Sequence, residues 1–201
     1  MGVYGGSFDP VHFGHLRTAL EVSRQLHLDE LRFIPSADPP HKAGPRASAA
    51  ERIRMLELAI DNCPGLIIDP REIERQTTSY TIETLLEMQA EFPNAELTLV
   101  IGMDQFRVFD TWYKWQDLLS MARLGVMERP GESLSDFARS LLDGEFASKI
   151  TLCKVTQLDI SSSKIRNELQ QGMNVQFLLP CAVRQYIFEK CLYQSKASVN
   201  L

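Results

Sequence analysis

Residues 1–16 read Met1-Gly2-Val3-Tyr4-Gly5-Gly6-Ser7-Phe8-Asp9-Pro10-Val11-His12-Phe13-Gly14-His15-Leu16. A short apolar run, Met1 to Tyr4, meets a glycine turn, and an apolar stripe at Leu16, Ala19, Leu20 and Ser23 follows at helical spacing. Strand, turn and helix are therefore contiguous. Glycines at a strand end let backbone amides approach an anion closely, and the helix start behind them adds unpaired N–H groups and a positive dipole end. The turn carries neither GxGxxG nor GxxxxGK[ST], and the next apolar run ends in Pro35-Ser36 without an acidic residue. The fingerprints of dinucleotide-dependent dehydrogenases and P-loop NTPases are thus missing. In their place stand His12 and His15, which share one face if the helix begins here, with Gly14 leaving room between them. Two imidazoles so placed can grip one phosphoryl group. As a zinc pair they lack partners: His27 lies at the far end of the helix, His41 in a distant loop, and no HExxH occurs.

Outward from this stretch the same pattern repeats. Strand-like runs fall at Leu31–Pro35, Leu66–Asp69, Leu97–Gly102, Leu124–Glu128 and Ile150–Val155. Helical stripes run through Ile53, Leu56 and Ile60, through Ile82, Leu85 and Leu86 from a start near Ser79, and through Val183, Tyr186 and Ile187 after Pro180. Ser48 and Glu51 form a capping-box signature for the first of these. Alternating strands and helices predict an α/β fold with a doubly wound, mainly parallel sheet in a single domain over 1–193, followed by a polar tail, 194–201. The ligand belongs at the C-terminal ends of the strands, at the topological switch point.

Composition narrows the classes. The 201 residues include 21 Lys and Arg against 26 Asp and Glu, a net charge of −5, which argues against a general nucleic-acid binder. At 44% hydrophobic and 23% charged the chain resembles ordinary globular proteins. Cysteines at 63, 153, 181 and 191 form no CxxC pair and suit a reducing cytoplasm. No apolar run approaches the roughly 20 residues of a membrane span, and Asp9 interrupts any signal-peptide core. Gly6 stands where a myristoylation signal needs Ser or Thr. A cytoplasmic protein with no membrane partner is expected, and homo-oligomerisation is compatible with the sequence.

A second constellation, Ile160-Ser161-Ser162-Ser163-Lys164-Ile165-Arg166, reads as a helix N-terminus with hydroxyls and free amides outward and Arg166 one turn in, facing the same anion. Together, GGSFDP, HxGH and this SxTxIR-like run, with Ser163 for Thr, resemble the nucleotidyltransferase superfamily. Pro39-Pro40-His41-Lys42, Ser79-Tyr80-Thr81, Ile101-Gly102-Met103-Asp104, Thr111-Trp112-Tyr113 and Glu128-Arg129-Pro130-Gly131 extend the resemblance to the bacterial nicotinate-nucleotide adenylyltransferase family from end to end. Where that family often carries Asn after Ile34-Pro35, this chain has Ser36-Ala37.

The resemblance implies adenylyl transfer from ATP to nicotinic acid mononucleotide in NAD biosynthesis, with Mg²⁺ accompanying ATP. It implies catalytic roles for His12, His15, Lys42 and Arg166. ATP would meet Gly5, Gly6, Ser7, Phe8, His12, Gly14, His15, Gly102, Asp104, Arg129, Ile160, Ser161, Ser163 and Arg166. The mononucleotide would meet Ser7, Phe8, Lys42, Ser79, Tyr80, Thr81 and Trp112. Physical reasons stand beside several of these. An indole face at Trp112 suits stacking on a pyridinium ring, and a helix start over Ser79–Thr81 suits a carboxylate. Asp104, at a strand's C-terminal end, can accept from ribose hydroxyls or a base amine. No residue is expected to serve as a dedicated metal ligand, because Mg²⁺ keeps phosphate oxygens and waters. Pantetheine-phosphate adenylyltransferase and a non-catalytic nucleotide-binding regulator of the same fold stand as alternatives.

Overall fold

The computed structural model describes residues 1–37, 47–75, 79–128 and 134–194. Six strands, β1 (Gly2–Gly6), β2 (Leu31–Pro35), β3 (Leu66–Ile68), β4 (Thr98–Gly102), β5 (Arg123–Glu128) and β6 (Ile150–Lys154), form one sheet in the order β3-β2-β1-β4-β5-β6. Every pairing is parallel. The chain runs outward from β1 to β3, then returns to lay β4 against the other side of β1, so the switch point lies between β1 and β4. The six expected strands are all present, with ends moved by two residues or fewer.

Nine helices join them among the described residues: α1 (Phe13–Gln25), α2 (Ala49–Ile60), α3 (Arg71–Glu74), α4 (Thr81–Glu91), α5 (Met103–Phe106), α6 (Trp115–Met121), α7 (Asp136–Asp143), α8 (Ser162–Gln170) and α9 (Cys181–Glu189). Successive strand residues point to opposite sheet faces, and the two hydrophobic clusters follow that alternation. Val3, Ile34, Leu99 and Val126 serve the cluster under α4 and α6, whereas Tyr4, Phe33, Val100 and Met127 serve the one under α1, α2 and α9. Both faces are thus covered, as a parallel sheet requires.

Ser48 and Glu51 make the expected capping box, with the Ser48 amide donating to Glu51 Oε2 at 2.6 Å. Two apolar stripes are shifted from their sequence reading. Leu20 is exposed on α1, where Ala19 and Val22 face the core instead. On α4, Leu86 is 54% exposed while Ile82, Leu85 and Met88 are buried. On α4 the i, i+3 pair Ile82 and Leu85 carries the buried face and the i+4 residue Leu86 lies at its solvent side, whereas on α1 Leu20 lies one position past Ala19, off the face that Ala19 and Val22 share. Of the expected tail, Gln194 alone falls within the described residues.

Adjacent leucines on α4 test this placement. Leu85→Ala should cost about 2–5 kcal/mol of stability in urea unfolding, against about 0.5 kcal/mol or less for Leu86→Ala. Equal losses would contradict the assigned face.

Candidate active site

The turn after β1 is held from several distant parts of the chain. Asp9 is 1% exposed, and its Oδ1 accepts from the Ala47 amide at 3.1 Å and the Tyr193 hydroxyl at 2.6 Å. Burial, then the Asp9 charge, pushes the Tyr193 hydroxyl well above its ordinary range, so it acts as a donor. Arg52, itself buried, donates to the Ser7 carbonyl at 2.9 Å, and Ser162 Oγ donates to the Pro10 carbonyl at 2.9 Å. Arg166 donates through Nη1 to the Asp9 carbonyl at 2.6 Å and through Nη2 to Ser163 Oγ at 3.2 Å. The turn's carbonyls are satisfied by side chains because its backbone has left the sheet.

At the start of α1 the two histidines cap each other. The His15 amide donates to His12 Nδ1 and the His12 amide to His15 Nδ1, each at 3.4 Å. An Nδ1 that accepts is unprotonated, so each neutral ring carries its hydrogen on Nε2. The rings stack with centroids 3.7 Å apart and planes inclined by 21°. A Cβ on Gly14 would lie 2.9 Å from His12 Nδ1 and Cε1, so the stacked pair needs glycine there. Burial lowers His12 to about 4, and burial together with the repulsion of His12 lowers His15 well below its ordinary value. Both rings are neutral donors at neutral pH. Phe8 supports them from beneath, its ring 5.1 Å from His15 and nearly perpendicular to it.

Two cavities flank the switch point. The first, about 270 Å³, is lined by His12, Gly14, His15, Asp104 and the segments Val155–Leu158 and Ile160–Ser162. The second, about 360 Å³, is lined by Gly5, Gly6, Ser36, Glu72, Thr81 and Trp112 among others. They share Tyr4 and Gly102 and reach opposite faces of the sheet beside the β1–β4 seam.

This arrangement gathers most of the expected residues but redistributes them. His12, Gly14, His15, Gly102, Asp104, Ile160 and Ser161 line the first cavity, and Gly5, Gly6, Gly102, Thr81 and Trp112 the second. Ser7 is exposed at the turn, outside both linings. Phe8 is 1% exposed, so it supports the site from the core rather than lining it. Ser163 and Arg166 sit beyond both linings and brace the turn rather than face into either cavity. Helix α4 begins at Thr81, with Tyr80 as its N-cap, instead of at Ser79. The Tyr80 amide is taken by Glu83 Oε2 at 3.3 Å, and Ser79 Oγ donates to the Glu72 carbonyl at 3.4 Å. Asp104 lies inside α5, whose N-cap is Gly102. Lys42 and Arg129 lie outside the described residues.

Sequence reasoning missed Arg52, Glu72, Ser162 and Tyr193. Only Ser162 carried a signal, standing inside the Ser161–Ser163 run. The others act through contacts that no local spacing encodes. Among the described residues no three His, Cys, Asp or Glu side chains converge on a possible metal position, and no helix is long and apolar enough to cross a membrane.

Residues 3–168 match the Cytidylyltransferase-like family model. A curated protein of Hydrogenovibrio crunogenus named "Probable nicotinate-nucleotide adenylyltransferase" is 41% identical over 203 residues, covering 96% of this chain and 97% of the relative. One of the same name from Pseudomonas aeruginosa is 41% identical over 208 residues, covering 97% of each. The chain belongs to the nicotinate-nucleotide adenylyltransferase family. The family's fold is matched by the Plasmodium falciparum nicotinic acid mononucleotide adenylyltransferase complexed with NaAD, at a TM-score of 0.79, 19% identity and 96% coverage of both chains. The sheet and its flanking helices are therefore the nucleotidyltransferase form of the doubly wound fold, and the chain is a nucleotidyltransferase.

The paired histidines give this site a stability signature. The unfolded chain binds protons near the ordinary value of 6.5, whereas native His12 does so at about 4. Their contribution is therefore complete above about pH 6.5 and is lost as pH falls toward 4, because the unfolded state then binds more protons. His12→Asn retains a capping acceptor and removes one titration. Its loss of unfolding free energy between about pH 7 and pH 5 should be smaller than the parent's. Parallel stability curves would refute the buried neutral pair.

Proposed function

We propose that this protein transfers the adenylyl group of ATP to nicotinic acid mononucleotide, releasing pyrophosphate and forming nicotinic acid adenine dinucleotide in NAD biosynthesis. The observation that carries the reading is the pair of cavities meeting at Tyr4 and Gly102 beside the β1–β4 seam, one bearing the histidines and the other Trp112. Two ligands seated in them would bring their phosphates together over the glycine turn. The names of the relatives support this choice of substrates.

An oxygen of the mononucleotide phosphate attacks the α-phosphorus of ATP, a new P–O bond forms, and the bond to the β-phosphate oxygen breaks with pyrophosphate leaving in line. The attacking oxygen is already anionic, so no protein nucleophile is required. Catalysis then consists of positioning two mutually repelling groups and stabilising charge. His12 and His15 offer their Nε2 hydrogens to the α-phosphoryl oxygens. Keeping both rings neutral lets them stack at van der Waals distance, which two imidazolium ions could not do. The hydroxyl of Ser161 and the amides at the α8 N-terminus serve the departing phosphates. Arg166, bonded to the Asp9 carbonyl and Ser163 Oγ, serves the same phosphates by holding the turn and the α8 start that would receive them. Lys42 and Arg129 are assigned to that charge as well.

Mg²⁺ fits as an ion brought in by the nucleotide. Asp104 is the one carboxylate among the described residues lining the first cavity, too few for a protein cage, so phosphate oxygens and water would hold most of its coordination sphere. When bound, it neutralises phosphate charge. In the second cavity Trp112, half-buried and packed on Phe109 with centroids 5.3 Å apart, presents a ring for stacking on the pyridinium. We place the reaction in the cytoplasm, where ATP is supplied.

The deciding assay is pyrophosphate release from ATP with nicotinic acid mononucleotide, nicotinamide mononucleotide or phosphopantetheine offered separately, and the first is expected to be preferred. Fastest turnover with phosphopantetheine would overturn the assignment. His15→Ala should lower turnover by about 10²-fold or more with its circular dichroism unchanged, as loss of a transition-state donor does. Trp112→Ala should raise KM for both mononucleotides by similar factors, since stacking acts on the ring that the two share. A change confined to one of them would remove Trp112 from the stacking role.

A further inference from the structure

The second cavity contains one feature that the proposed reaction leaves unused. Among the described residues lining it, Glu72 is the one acidic side chain and none is basic. The ligand assigned to this cavity is itself an acid. Any ionised Glu72 therefore faces a ring carboxylate of the same sign, while the carboxamide of the otherwise identical amide ligand feels no such opposition.

Glu72 is fixed in place. Its Oε1 accepts from Thr84 Oγ1 at 2.9 Å, and Thr84 is 1% exposed. Thr84 Oγ1 also receives Arg75 Nη2 at 3.3 Å, which orients the hydroxyl hydrogen toward Glu72. Arg75 offsets part of the Glu72 charge, and it shares its own with Glu87 at 3.0 and 2.8 Å and with Glu83 at 3.6 Å. Asp69, at the end of β3, is in turn paired with Arg71 and Arg32. The charged groups around Glu72 from α3, α4 and the β3 end are thus largely satisfied among themselves. Burial raises its carboxyl above the ordinary range, with the Thr84 hydrogen bond and the Arg75 charge opposing and Glu87 and Asp69 adding to the rise.

We propose that Glu72 is a specificity-determining residue that sets how strongly this cavity prefers an acidic acceptor over its neutral amide. Ionised, it opposes the acceptor carboxylate; protonated, it withdraws that opposition and its O–H can donate to the same carboxylate. The preference for the acid is then largest at low pH and declines as Glu72 loses its proton. The inference rests on the reading of the second cavity as the acceptor site.

The test is the ratio of kcat/KM for nicotinic acid mononucleotide to that for nicotinamide mononucleotide, in which the titration of their common phosphate cancels. At about pH 8, Glu72→Gln should raise this ratio about three- to tenfold, through KM of the acid, with KM for ATP and for the amide changed by about twofold or less. In the parent the ratio should fall as pH rises above the ordinary carboxyl value of 4.5, and in the variant it should be flat over the same range. An unchanged ratio, or equal losses with both acceptors, would overturn the proposal in favour of a purely structural carboxyl. If the variant does not fold, the parent's pH series decides, and a flat ratio overturns the proposal. Turnover with neither mononucleotide would overturn the proposed function and this inference together. Turnover with the acid at a flat ratio would overturn the inference alone.

Discussion

The amides of His12 and His15 are among those at the start of α1 without helical partners, and the rest of the site depends on how these two are satisfied. A serine or aspartate would do it with a side-chain oxygen. Here each amide is taken by the other histidine's Nδ1. The solution settles three things together: which nitrogen holds the hydrogen, how the rings are rotated, and that neither is charged. Gly14 follows from it, because the stacked pair leaves no space for a Cβ. So does the packing below, where Phe8 edges against His15, Tyr4 and Phe33 to form an apolar floor. A phosphoryl group entering this cavity meets preset donors and requires no reorganisation of the rings.

The sheet order gives that constellation its second half. With β1 central and β2 and β4 on either side, the glycine turn emerges where the flanking connections diverge, and both cavities open from the same seam. Each cavity belongs to a different sheet face, so two ligands can be selected by different helices while their reactive ends meet over one turn. The histidines and the start of α8 line one cavity; Trp112, α3 and the start of α4 line the other.

Most of this was legible in the order of residues because the signals are local. Alternation and apolar runs set all six strands, and His12-Phe13-Gly14-His15 announced its pair through helical spacing alone. The errors have a common origin. A stripe such as Ile82, Leu85 and Leu86 marks a helix but does not fix its rotation, which packing decides by burying Met88 and leaving Leu86 out. Glu72 and Thr84, Asp9 and Tyr193, and Arg52 and Ser7 are joined across 12, 184 and 45 positions, and nothing in their neighbourhoods predicts those bonds. Arg166 was recognised from its motif, yet its hydrogen bonds to Asp9 and Ser163 give it a bracing task that the motif alone does not convey.

The bond between Tyr193 and Asp9 also bears on the order in which the protein can mature during synthesis. The glycine turn is among the first parts of the described chain to be made, and one partner that locks its buried carboxylate stands 184 residues later. Until that residue has emerged, Asp9 keeps water in place of the tyrosine hydroxyl and the turn lacks its lock. A growing chain could already have β1, β2 and β4 side by side and still present an open, hydrated nucleotide site. Completion of the site thus waits on a residue 184 positions further along the chain than the turn it locks.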